Sequence, residues 1–241
     1  MKNHLIVSLL LLSIVVCKQD YNWEDLDEKD GVIYKKLSDD PLTGRVYDYF
    51  NDDNQNLKKV YLGRLIGGKR DGKWTYWFNN GNKEMEIIYR DGKQDGLGIR
   101  WYKNGQKMNE LTYRDGILNG LYTHWREDGI KSEEGSFKGG RLHGLVTYWS
   151  WIDGKLYSES TYKDGKKYGL QIIYYKNGQI ESEDIYKDDK KNGLSIFWSE
   201  KGEKLWEGRY KDGREIGQWN QYDLDGKVLR VYDCNKGECD W

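Results

Sequence analysis

Eight glycines recur along the chain at Gly44, Gly72, Gly96, Gly120, Gly144, Gly169, Gly193 and Gly217. From Gly72 onward they stand 24 residues apart, with one interval of 25. A fixed period of this size means one small unit copied along the chain, and that constrains the fold more than any single motif can.

Each copy carries two further turn signals. A second glycine follows the anchor by nine residues at Gly81, Gly105, Gly129, Gly178, Gly202 and Gly226, and by ten at Gly154. The residue before it is mostly Asn or Asp, as in Asn80, Asn104, Asp128 and Asn177, and such pairs mark tight hairpin turns. A third glycine precedes the anchor by four residues, as in Gly92 and Gly116, with Asp189 standing in once. The two segments between turns are about six to eight residues long, a normal strand length. Leu121-Tyr122-Thr123-His124-Trp125 shows their alternation of apolar and more polar residues. The chain has no alanine, and its 29 glycines leave no stretch suited to a helix. The expected fold is all-β: an elongated, single-layer antiparallel sheet of tandem β-hairpins with a period of about 24 residues. It should hold 15 or 16 strands, with no helix after residue 20.

Two columns repeat. Five residues after the anchor stands a large aromatic: Trp77, Trp101, Trp125, Trp149, Tyr174, Trp198 or Tyr222. This reads as a packing spine. In the second strand a glutamate recurs at Glu86, Glu110, Glu134, Glu159, Glu183 and Glu207, followed three residues later by Tyr or Phe. A role repeated six times reads as structural, such as pairing with a nearby Lys or Arg.

The stretch Phe137-Lys138-Gly139-Gly140-Arg141-Leu142-His143-Gly144 resembles the aromatic-x-x-Gly-Lys-x-x-Gly core of the MORN repeat. The unit runs about one residue longer than the common eukaryotic form, and its aromatic sits at an odd position after the anchor. In both respects it resembles the bacterial MORN variant of YwqK-type antitoxin proteins. The lead-in from Tyr34 to Gly44 is similar to the openings of that group. The resemblance covers roughly residues 31 to 232 and implies the fold; function it implies only loosely, because such repeats serve unrelated roles.

Residues 1–17 differ in kind. Lys2 precedes an apolar run from Leu5 to Val16 that is too short for a membrane span and suits an export signal. Cys17 closes the run, as in a lipoprotein signal whose cysteine is acylated, although Ile14-Val15-Val16 departs from the usual small residue before it; simple cleavage nearby is the alternative. Residues 18–30 then form an acidic tether, and 31–241 an array of about eight hairpin units. At its end Cys234 and Cys239 flank four residues, and a disulfide there would staple the last repeat, where a solenoid needs a cap. Free thiols are the alternative; a metal site would need ligands that the neighbouring sequence lacks.

Lys plus Arg number 39 and Asp plus Glu 40, a balance that removes the electrostatic drive for nucleic acid or anionic lipid. No phosphate loop, nucleophile elbow or His-Glu-x-x-His occurs, and His124 and His143 occupy positions that no other copy fills with histidine, such as Phe197 and Asn192. The reading is therefore non-catalytic, without cofactor or metal. The positions that vary between copies include Trp74, Tyr76, Arg100, Tyr102, Tyr122 and Arg126, which alternate with the repeated spine. Their composition is that of protein interfaces, so they form the candidate binding face; the alternative is that this is simply the less demanding face of the sheet. The expected function is an exported, envelope-associated scaffold that binds a protein partner, a toxin if the resemblance extends to role. Membrane contact is through the lipid anchor alone. An aromatic platform for envelope glycan and a purely structural spacer are the alternatives.

Overall fold

The structure, a computed structural model, describes residues 19–51, 55–236 and 239. Cys17 and the export signal lie outside them. Eighteen strands form one open sheet in which each hairpin pairs with the next, from Gly44–Asn51 through Val228–Asp233. Two of the eighteen fall outside the simple hairpin count. Asp20–Asn22 adds at the first edge, in parallel with Gly44–Asn51, and His143 splits off the short strand Arg141–Leu142. Among the described residues helix is confined to two single 3₁₀ turns, Trp23–Asp25 and Cys234–Lys236, which correct the expectation of none after residue 20.

The two connections in each unit are of different kinds. Asp91-Gly92 has φ of 49° and 80°, and Arg90 pairs directly with Lys93 across it. Two residues at positive φ make a type I′ turn, whose twist matches the strands. The turn at Gly81 is longer. Gly81 N–H donates to Phe78 O at 2.9 Å and Phe78 N–H to Asn82 O at 2.8 Å, with only the glycine at positive φ. This is a type I turn closed by a left-handed glycine and a bulge.

The Asn before that glycine works through its side chain. Asn104 Oδ1 accepts from Gln106 N–H at 2.9 Å, while its amide donates to Glu127 O, 2.9 Å away in the next unit's turn. Asn80 and Asn177 do the same toward Lys103 and Glu200. Asp128 has no amide to donate. There Arg126 reaches across instead, from Nη1 to Ser150 O at 3.2 Å and Trp151 O at 2.6 Å. At Asp153 the donor is Lys155, whose Nζ lies 2.8 Å from Lys176 O. From the turn at Asn80 to the turn at Glu200, hydrogen-bond bridges between successive turns thus persist through changes of residue.

Pairing register assigns the two faces. Trp74 lies opposite Ile87, Tyr122 opposite Gly135, Val146 opposite Ser160, Gln171 opposite Asp184 and Ser195 opposite Gly208. This face is the packed one: Trp74, Tyr122, Val146, Ser160, Asp184 and Ser195 are all buried. The tyrosines and phenylalanine three residues beyond each glutamate share it, as the odd spacing requires. Trp74 meets Trp23 and Tyr89 edge-on at 6.2 and 6.4 Å, and Tyr122 packs on Phe137 at 4.7 Å. The Trp column occupies the other face and is half-buried. It is a row of ammonium–aromatic contacts more than a core, with Lys83, Lys107 and Lys131 standing 5.4–5.6 Å from the rings of Trp101, Trp125 and Trp149. The same lysines pair with the glutamate column, Lys83 with Glu86 at 2.9 Å and Lys131 with Glu134 at 2.6 Å.

Residues 20–30, expected as a tether, are folded. Their acidic composition masks Tyr21, Trp23 and Leu26, which pack with Ile33, Leu42, Val46, Leu62, Leu65 and Trp74 in the main hydrophobic cluster. The hairpin Leu26–Lys29 with Val32–Lys35 thereby covers the first end of the array. At the other end Cys234 and Cys239 form a disulfide, with an S–S distance of 2.07 Å.

Candidate functional site

The candidate binding residues do not form one accessible surface. Trp74 is fully buried, its indole N–H donating to Arg64 O at 3.1 Å. Tyr122 is 2 % exposed and its hydroxyl donates to Glu133 Oε1 at 2.5 Å. Burial, and then this hydrogen bond, raise its phenol far above the usual value. Arg126 is 8 % exposed and is committed to the turn bridge described above and to Asp128 at 2.9 Å. Tyr102 is half-buried, donating to Trp125 O at 3.0 Å. Tyr76 is half-buried against the N-terminal cluster, and only Arg100 is exposed, beside Glu84 at 3.3 Å.

The reason is physical. These positions vary between copies because the residue opposite varies with them. A Cβ on Gly208 would lie 2.1 Å from Trp219, one on Gly63 would lie 2.4 Å from Trp74, and one on Gly135 would lie 3.0 Å from Tyr122. Each large ring rests on a glycine of the neighbouring strand, so the variation is size compensation within a packed face.

The accessible apolar surface is on the other face. Leu97, Leu121, Leu145 and Leu170, each one residue after an anchor glycine, are 41, 74, 53 and 40 % exposed. Ile88 joins them at 38 %, and the lysine–glutamate pairs of the Trp column flank the row. A stripe of this kind, rimmed by charge, has the character of an interaction surface. The sequence displayed these leucines openly as a column. Nothing in one sequence says which face of a single-layer sheet lies bare.

Two clefts lie on the packed face. One, of about 570 Å³, is lined by Glu133, Tyr148, Ser158, Ser160, Tyr162, Lys167 and Gln171, with the exposed Trp151 and Tyr157 at its margin. The Tyr148 and Tyr162 hydroxyls are 3.3 Å apart, and the buried Ser160 Oγ has no hydrogen-bond partner. Burial, and then the contact with Tyr162, push the Tyr148 phenol up. The second cleft, near the C-terminal end, is aromatic. Glu215 approaches Cys234 and Cys239 closely enough to suggest a metal cluster, but both sulfurs are consumed by the disulfide and offer no thiolate.

Residues 70–91, 94–115 and 167–188 match the family model of the MORN repeat variant. The units between them share the same turns and columns, and together these define a repeat scaffold of MORN-type hairpins. No curated protein matches the chain.

Proposed function

We propose that the protein is a non-catalytic scaffold that docks a protein partner along its leucine face. The observation that carries this reading is the row Leu97, Leu121, Leu145 and Leu170, exposed in register over four consecutive units. Solvent-facing leucine on a strand lowers solubility without adding to the fold, and a partner that covers it gives the row a purpose. The likeness to YwqK-type antitoxins makes a proteinaceous toxin the first partner to try. Export, with Cys17 as a lipid anchor, would place the encounter at an envelope. Photo-crosslinkers at positions 121 and 145 should capture one common partner, and Leu97→Lys with Leu170→Lys should abolish that capture. Crosslinking from the opposite face alone would overturn the assignment.

The first cleft favours a second reading, an envelope glycan. Tyrosine hydroxyls, Gln171, Ser160 and the exposed Trp151 and Tyr157 combine hydrogen-bonding groups with aromatic faces suited to sugar rings. A glycan array would support it by a saturable hit that Tyr157→Ala and Trp151→Ala remove.

A further inference from the structure

The second cleft holds an independent site. It is an open cleft of about 570 Å³, lined by Phe197, Trp206, Tyr210, Glu215, Trp219 and Tyr232. These come from four successive strands, and register places them on the packed face: Tyr210 opposite Glu215, and Trp219 opposite Tyr232. Trp206 packs on Tyr232 at 5.7 Å, and Tyr210 meets Trp219 edge-on at 5.2 Å. The wall is therefore five aromatic rings and one carboxylate, within the size range of small-ligand sites.

We propose that this cleft binds a methylated ammonium group, of the choline or betaine kind. Ring faces carry negative charge density and attract cations, most strongly when water is excluded. The wall already shows this preference. Lys191 Nζ stands 5.0 Å from the Tyr210 ring centroid and 5.3 Å from that of Phe197, its charge matched by Asp184 at 2.9 Å. Lys191 is not part of the lining, which leaves Glu215 as the one charged side chain among the described residues that line the cleft. Glu215 accepts from Tyr210 Oη at 3.0 Å, and no described lysine or arginine forms an ion pair with it. A neutral apolar ligand would bury that carboxylate uncompensated, which is costly. A primary ammonium would bring three N–H donors to a wall with few acceptors. A trimethylammonium group has no N–H to satisfy and presents polarised methyls to every ring, so it fits both the charge and the surface.

The test is calorimetric titration of the whole protein with choline and with its neutral isostere 3,3-dimethylbutan-1-ol. Choline should bind saturably, with a dissociation constant on the order of 0.1–1 mM, and the isostere at least about tenfold more weakly. Glu215→Gln and Trp206→Leu should each weaken choline by roughly fivefold or more, with the circular dichroism spectrum retained. Leu97→Ser, on the other face, should leave the affinity unchanged. Free phosphocholine and phosphatidylcholine vesicles are compared to separate a soluble ligand from a lipid headgroup. Equal binding of choline and isostere, or no heat with choline at about 10 mM, would overturn the proposal. Because none of these readouts involves the leucine row, the result is separable from the protein-docking reading.

Discussion

At the scale of single residues, the packed face is a set of compensating pairs. Gly208 is fixed by Trp219, since a methyl there would meet the indole at 2.1 Å. Gly208→Ala is expected to cost about 1–3 kcal/mol in urea unfolding, by overpacking. Combining it with Trp219→Leu should show a coupling energy, because the smaller side chain relieves the clash. The two aromatic columns also separate here. Tyr122→Ala, at 2 % exposure, should cost about 3–5 kcal/mol. Trp125→Ala should cost only about 1–2 kcal/mol, as its ring is half-buried and held mainly by Lys107 at 5.5 Å. Equal costs would mean that the Trp column shares the core.

At the scale of the hairpin, stability depends on the bridges between turns. Asn104→Asp keeps the acceptor for Gln106 N–H but sets a carboxylate oxygen against Glu127 O, so about 1 kcal/mol should be lost. Asp128 tolerates the same change because Arg126 supplies the donor. Cys234→Ser should cost about 2 kcal/mol for so short a closed loop, with hydrogen exchange rising in the last unit first. These elements were legible in the sequence because turn chemistry is local: glycine spacing marked both turns of each hairpin and the meander they build. The faces were not legible. Trp74 and Trp77 are both large aromatics, and what separates them is Gly63 across the pair, whose role depends on register. The N-terminal hairpin was hidden for a related reason, its three apolar residues being diluted among acids.

At the scale of the whole molecule, partly buried tyrosines on both faces of the sheet link stability to pH. Burial raises Tyr76 to about 12, with Tyr89 adding to it. Burial and the hydrogen bond to Glu159 likewise raise Tyr174 to about 12. Each phenol holds its proton more tightly folded than unfolded. Its contribution is therefore complete below its unfolded value of about 10 and is lost as pH climbs from there through about 12. Circular dichroism and phenolate absorbance should report one shared alkaline transition in that window. Phenolate appearing near pH 10 with the sheet intact would show that these rings are open to water.

The order of pairing has a mechanical consequence. Among the described residues each hairpin is bonded only to its neighbours, and the first and last strands lie at opposite ends of the sheet. Tension applied between the termini loads the inter-hairpin bonds one row at a time, as in a zipper, rather than shearing many rows at once. The array should yield to low force in repeated steps, each releasing roughly 80 Å of contour as one unit of 24 residues straightens. The capped ends, closed by the N-terminal hairpin and the disulfide, set the force at which the first row parts.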